Sequence, residues 1–243
     1  MMHLIALHDS AGWLLTGPKF LYIKSSSSTL KGSLAFILPN FNADKRIGPH
    51  HKDIVSFLVG SLLGDGYAER MSSGGVRFTF RQSAIRKEYL FWLHNFLNTR
   101  GYCSNNLPIY YTQITGDKLL GYYRFGTYRF TSLLWLYKLF YTHNKIKVIP
   151  TNIADLLTPL SLAIWLCDDA TWKNPGVRFA TNSFTKEEVI LLSSALFTRF
   201  NIKSTLQKNN GKYQLYIKQE SIPLLRELVL PYMVSSMHYK LGL

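Results

Sequence analysis

From His51 onward the chain alternates between two hydrophobic periods. The first is helical, and it produces one phrase twice: Leu58-Val59-Gly60-Ser61-Leu62-Leu63-Gly64-Asp65-Gly66 and Leu162-Ala163-Ile164-Trp165-Leu166-Cys167-Asp168-Asp169-Ala170. Each is an apolar helix that finishes on a carboxylate. Gly60 and Gly64 lie one turn apart, as do Ala163 and Cys167, and small residues at that spacing let two helix backbones approach closely. Thr158 followed by Pro159 predicts an N-cap with proline at the first helical position, so the second phrase helix spans about 159–169.

The second period is that of strands. After Asp65 comes Gly75-Val76-Arg77-Phe78-Thr79-Phe80-Arg81-Gln82-Ser83, then Lys87-Glu88 and an apolar helix. After Asp169 comes Gly176-Val177-Arg178-Phe179-Ala180-Thr181-Asn182-Ser183, then Lys186-Glu187 and another. Thr185 with Glu188 three residues on reads as a capping box for that helix. Each half then offers two more strands, 109–114 with 122–127 and 204–208 with 213–218. The second pair is joined through Asn210-Gly211, which suits a tight hairpin turn. Amphipathic helices at 132–141 and 222–229 close the halves. The predicted unit is helix, hairpin, helix, hairpin, helix, used twice, an α+β fold.

Residues 1–50 differ. Serines at 25–28, scattered Gly and Pro and no sustained period predict an irregular extension. No positively charged stretch precedes the apolar run Leu4–Leu7, so a secretory signal is not expected. Lobes are expected over 51–150 and 151–243.

Composition narrows the partners. The 243 residues carry a formal net charge of +14, with 47% hydrophobic and 14% aromatic residues. A large core and a polyanionic partner follow, and nucleic acid is the leading candidate. The apolar stretches fall well short of the roughly 20 residues that span a bilayer, so no membrane partner is expected. The two cysteines, Cys103 and Cys167, imply no disulfide framework.

The paired phrases, with the acid at the eighth place of nine, resemble the motif of the LAGLIDADG homing endonucleases and intron maturases, in the single-chain form with two pseudo-symmetric copies. The strings Leu157-Thr158-Pro159-Leu160-Ser161-Leu162-Ala163-Ile164-Trp165 and Pro231-Tyr232-Met233-Val234-Ser235-Ser236-Met237-His238-Tyr239-Lys240-Leu241 resemble those of organellar members encoded in group I introns. Departures are Ala170 for the closing glycine and Ser61, Leu63 and Gly64 in the first motif. The resemblance implies two αββαββα lobes in one monomeric chain, each with an antiparallel DNA-binding sheet. The opening Met2–Gly12 also resembles a segment of mitochondrial cytochrome b. That likeness implies an organelle-encoded mitochondrial protein in which His3 and His8 are exon relics.

Hydrolysing a phosphodiester needs an activated water, a stabiliser for the departing 3′ oxygen and charge neutralisation at phosphate, all of which divalent cations supply. Asp65 and Asp169 offer hard oxygen ligands suited to Mg²⁺. Either member of the Asp168-Asp169 pair could be the ligand; aligning the motifs sets Gly64 opposite Asp168 and Asp65 opposite Asp169, which assigns the role to Asp169. The family implies main-chain carbonyls in the metal shell, at Gly64 and Asp168. It also implies polar groups at strand ends, Gln82 and Asn182, and flanking basic residues, Lys147 and Lys240. Strand alternation sets Arg77, Thr79 and Arg81 on one outward face, and Arg178, Ala180 and Asn182 on another. With Arg124, Lys208 and Lys218 these form the expected surface for reading a long double-stranded DNA site in the major groove. Three functions fit: a site-specific DNA endonuclease, a maturase assisting group I intron RNA splicing, and a cleavage-inactive DNA-binding protein.

Overall fold

The two phrase helices pack directly on each other, and the remaining elements are laid out around that contact. A computed structural model describes residues 46, 48–72 and 74–243. The first lobe runs α1 (Lys52–Leu63), β1 (Tyr67–Arg70), β2 (Val76–Ser83), α2 (Lys87–Asn98), β3 (Ile109–Thr115), β4 (Lys118–Gly126) and α3 (Leu134–Phe140). A short helix, α4 (Ile153–Leu156), leads to the second: α5 (Pro159–Asp169), β5 (Ala170–Lys173), β6 (Gly176–Phe179), α6 (Lys186–Phe200), β7 (Ser204–Asn209), β8 (Lys212–Ile217) and α7 (Ile222–Val229). Each lobe holds one antiparallel four-stranded sheet, in the orders β1-β2-β4-β3 and β5-β6-β8-β7. The same order twice is the pseudo-symmetric α+β repeat that the sequence predicts.

Close approach of α1 and α5 depends on glycine. A methyl group added at Gly60 would lie 2.9 Å from the Ser161 Cα and 3.0 Å from the Ile164 Cβ; at Gly64 it would lie 2.6 Å from an Asp168 carboxylate oxygen. The residues that α5 turns toward those glycines are thus Ser161, Ile164 and Asp168, which share a face at i, i+3 and i+7. Ala163 and Cys167, the small residues of the second phrase, are buried as well.

Capping follows the sequence signals. Thr158 accepts from the Ser161 amide at 3.1 Å and Ser161 Oγ accepts from the Thr158 amide at 2.8 Å, with Pro159 at the first helical position. Thr185 and Glu188 make the second capping box, and Glu188 also accepts from the Ile149 amide at 2.9 Å, tying α6 to the segment between the lobes. Between β7 and β8, Asn210 and Gly211 both take positive φ, 49° and 78°, as a two-residue turn of this kind requires.

Three expectations change. The strand from Gly176 stops at Phe179, because Thr181 donates to the Tyr213 carbonyl and its own carbonyl accepts from Phe184, which turns the chain. β4 begins at Lys118 instead of Tyr122, so only Gly116-Asp117 separates it from β3. Every residue of β3 is exposed, making it the outer strand of the hairpin, whereas β4 meets α2 through Tyr123 against Phe91 and Phe125 against His94. Finally, Arg46 and His50 pack onto the first lobe: the Arg46 guanidinium lies 4.6 Å from the Tyr128 ring centre and His50 Nδ1 2.6 Å from the Tyr102 hydroxyl. The irregular extension and the cytochrome b likeness, with His3 and His8, lie outside the described residues.

Aromatic rings bridge helix and sheet inside each lobe. Phe57 of α1 stacks on Phe96 at 4.8 Å and meets Phe80 edge-on at 5.6 Å, while Phe80 stacks on Phe125 at 4.9 Å. In the second lobe Trp165 lies 4.3 Å from Phe179. Among the described residues no helix is long and apolar enough to cross a membrane.

Two outcomes test this packing. Gly60→Ala forces the helices apart and should cost about 2 kcal/mol or more, since an interhelical backbone contact has less freedom to relax than an ordinary overpacked core; a lowered urea midpoint at unchanged slope measures it. Cys103 and Cys167 are buried, and burial lifts the Cys103 thiol to about 12 and Cys167 higher still. Neither should react with iodoacetamide at pH 8 until denaturant is added, as mass spectrometry would show.

Candidate active site

Asp65 and Asp169 stand where α1 and α5 converge, at the negative ends of both helix dipoles, an unfavourable place for a carboxylate unless a cation compensates it. The chain reaches the two positions differently. α1 stops at Leu63, Gly64 caps it, and the Gly66 amide donates to the Ser61 carbonyl at 2.9 Å. A side chain at Gly66 would sit 2.8 Å from the Ser61 Cβ, so the tight closing turn needs glycine. α5 instead continues through Asp169, and Ala170 enters β5 directly with φ −83° and ψ 155°. The alanine departure in the second motif is accommodated because that motif has no such turn.

Between the two acids lies a third. The buried Asp168 side chain crosses from α5 to the first lobe: Oδ2 accepts from the Asp65 amide at 3.2 Å, and Oδ1 accepts from the Tyr89 hydroxyl at 2.9 Å and from Gln82 Nε2 at 3.1 Å. Gln82 Nε2 also donates to Asp65 Oδ2 at 2.8 Å, and Arg86 donates to Gln82 Oε1 at 3.4 Å. Burial, reinforced by the charges of Asp65 and Asp169, pushes the Asp168 carboxyl well above the usual range. Burial and then the Asp65 charge raise Asp169 to about 7. The acids are therefore close enough to repel one another.

Two lysines mirror each other across the pseudo-dyad. Lys147 Nζ donates to the carbonyls of Gly64 at 3.1 Å and Gly66 at 2.8 Å. Lys240 Nζ donates to the carbonyls of Leu166 at 3.4 Å and Asp168 at 3.0 Å. Each ammonium thus rests on the carbonyl just before its lobe's terminal acid. Burial lowers both, Lys240 to about 8.

Of the residues expected here, Asp65, Asp168, Asp169, Gly64, Gln82, Lys147 and Lys240 come together. Asn182 does not. It is exposed in the turn beyond β6 and hydrogen-bonds none of the acids. Gln82 sits two residues past Phe80, opposite Tyr123; two residues past Phe179, opposite Tyr213, stands Thr181, buried and donating to the Tyr213 carbonyl. Matching the halves by residue type slipped by one position. Tyr89 and Arg86 were not foreseen, because only the tertiary packing brings α2 against Asp168.

Donor chemistry fits a hard divalent cation. All nearby donors are oxygen, and the crowded carboxyl groups gain from added positive charge. Among the described residues no three His, Cys, Asp or Glu side chains form a metal cage by themselves. A bound ion would need main-chain carbonyls, waters and substrate phosphate as well. The Gly64 and Asp168 carbonyls each already accept from a lysine, leaving one lone pair apiece for such a role.

A model described as the LAGLIDADG DNA endonuclease family matches residues 55–225. The chain belongs to this family. It is 39% identical over 209 residues to the cytochrome b mRNA maturase bI2 of Saccharomyces cerevisiae, covering 82% of this chain and 49% of that protein. The chain therefore spans about half the length of the yeast maturase. It is 36% identical over 157 residues to the intron-encoded endonuclease ai4 of Dictyostelium discoideum, covering 62% of this chain and 99% of that one. Among solved structures, the homing endonuclease I-WcaI bound to its DNA recognition sequence superposes with a TM-score of 0.75 at 25% identity, over 87% of this chain and 97% of that one.

The LAGLIDADG sheets here present mixed outer faces. Arg81 stacks over the Tyr122 ring at 3.6 Å and donates to Gln113 at 2.6 Å, and Arg124 donates to the Tyr67 hydroxyl at 3.0 Å. Arg77 shares this face, its guanidinium lying against Gly126. Thr79 points the same way yet is buried between Tyr67 and Gly126 in register, so it offers no open contact. In the second sheet Arg178 pairs with Thr171 and Tyr216, whereas Lys218 lies past the end of β8 and lines a surface hollow with Ser193, Phe197 and Thr198 of α6. Lys208 is paired with Tyr213 and shares the parity of Leu206 and Leu215, which places it on the helix-facing side at the sheet's end. An open cleft of about 850 Å³ beside Asp65 is lined by Arg81, Gln82, Arg86, Ser236 and Tyr239 among others.

The buried lysine provides a pH test. With its folded value near 8 against an ordinary 10.5, Lys240 binds fewer protons folded than unfolded between those limits, so stability rises with pH there. In EDTA, wild type should gain on Lys240→Met from pH 8 to 10.5, by at most about 3 kcal/mol. Paired urea melts across that range would measure the difference.

Proposed function

We propose that this chain is a site-specific endonuclease that makes a Mg²⁺-dependent double-strand break in an intronless DNA target, acting as a monomer in the mitochondrion where its intron resides. The observation that carries the reading is the paired centre: two acids at converging helix ends, each backed by a lysine on the preceding carbonyl. Likeness to I-WcaI, whose structure holds DNA, and to an intron-encoded endonuclease supports it.

The chemistry is a hydrolysis in which water oxygen bonds to phosphorus, the bond to the 3′ oxygen breaks, and that oxygen takes up a proton. Bound cations would polarise the water and stabilise the departing oxygen. Asp65 and Asp169, with the carbonyls of Gly64 and Asp168, would hold them. Gln82 fixes the Asp65 carboxylate through the 2.8 Å hydrogen bond. Lys147 and Lys240 set fixed positive charge beside each acid, where phosphate charge must be borne. On the sheets, Arg77, Arg81, Arg124 and Arg178 would engage phosphates and base edges over a long site, with Lys218 beyond the end of β8 adding positive charge at the margin. Thr79, Asn182 and Lys208 carry less of the reading, given their burial, turn position and sheet face.

A second reading is an RNA maturase that assists splicing of its group I intron, favoured by the 39% identity to a cytochrome b mRNA maturase. Preservation of both acids and both lysines favours cutting.

Purified protein with Mg²⁺ should cut both strands of joined-exon DNA at the intron insertion site, and EDTA should stop it. No cut in either strand would sink the nuclease reading in favour of the maturase. Asp65→Asn and Asp169→Asn should each lose double-strand cleavage while retaining gel-shift binding. Arg81→Ala should weaken binding and lower the slope of log K against log salt by about 1.

A further inference from the structure

One break in the pseudo-dyad couples the two lobes. Where the first motif has Gly64, which carries no side chain, the second has Asp168, so no carboxylate at that place returns the contact from the first lobe to the second. Asp168 accepts from the Asp65 amide, from Gln82 and from Tyr89, at 3.2, 3.1 and 2.9 Å, all three belonging to the first lobe. The same Gln82 nitrogen reaches the Asp65 carboxylate at 2.8 Å. The position and orientation of Asp65 are therefore fixed by a second-lobe side chain. Among the described residues no such hydrogen bond supports Asp169: Thr181, at the register place of Gln82, spends its hydroxyl on the Tyr213 carbonyl. Asp168 itself is enclosed, at 6% exposure, and Gly64 is the residue that leaves room for it, since a methyl there would touch its carboxylate at 2.6 Å.

We propose that Asp168 is a positioning residue for the first-lobe acid, lent across the pseudo-dyad by the second lobe, so that the two DNA strands are cut by unequal sites. It acts through Asp65 and Gln82 and does not touch the substrate. An asparagine at 168 keeps the shape but turns an NH₂ group toward donors that now find an acceptor, so either the Asp65 amide or the Gln82–Tyr89 pair loses its partner. An orienting contact of this kind typically changes activity by about 10- to 100-fold.

This role rests on the endonuclease reading, and one experiment separates the two. Joined-exon DNA labelled on both strands is cut in single turnover by wild type, Asp168→Asn and Tyr89→Phe. Asp168→Asn should slow one strand about 10- to 100-fold and the other less than about threefold, so nicked product accumulates, with gel-shift affinity unchanged. Tyr89→Phe, which keeps the buried acid, should bias the same strand more weakly and covers the case in which Asp168→Asn does not fold. In metal-free protein the Gln82 side-chain amide signal, read by ¹⁵N NMR, should shift in both variants. Equal slowing of both strands, or an unmoved Gln82 signal, overturns the positioning role while leaving the nuclease intact. A wild-type protein that cuts neither strand removes the nuclease reading and this role with it.

Discussion

Direct contact between α1 and α5 is the constraint on which the molecule depends. Gly60 and Gly64 let one helix lie on the backbone of the other, with Ser161, Ile164 and Asp168 filling the facing surface. Two consequences follow from one contact. It joins the lobes into a single core, and it brings the ends of both helices, with their terminal acids, to one place.

That convergence carries an electrostatic cost. Three carboxyl groups gather at two negative helix ends, partly out of water, and Asp169 is raised to about 7 as a result. Against this stand two ammonium groups on the adjoining carbonyls, Lys147 half-buried and Lys240 buried, and a web of donors around Asp168. A site that concentrates like charge in this way is matched to a ligand bearing the opposite one. The family membership gives that arrangement a chemical context, and the basic sheets on either side give it a route to a polyanion.

Much of this was legible in the sequence, for identifiable reasons. Helix phrases, capping signals at Thr158 and Thr185 and the Asn210-Gly211 turn are encoded in neighbouring residues, and all took the expected form. Gly60 and Gly64 announced close packing because small residues at helical spacing have few other uses. Which α5 residues they meet is not legible locally, since the face that α5 turns inward depends on both lobes at once. Asn182 was matched to Gln82 by side-chain type, whereas the hydrogen-bond register that places Thr181 there is a property of β8, more than thirty residues away. Lys208 shows the same limit, because a strand's parity is fixed only when its partner is known. The reach of Asp168 to Tyr89 spans 79 positions, and no local pattern records it.

The outer strand of the β3–β4 hairpin stands apart from these dependencies. All seven residues of β3 are exposed, and Ile114 and Leu119 near its tip are 74% and 68% accessible. The β3 side chains and the tip support no core, while Phe125 of β4 does, so exchange on β3 or at the tip perturbs neither lobe cohesion nor the geometry at the dyad. Such a strand can take a different side chain without any adjustment at the helix ends, so the surface it offers to solvent is decoupled from the chemistry of the acids.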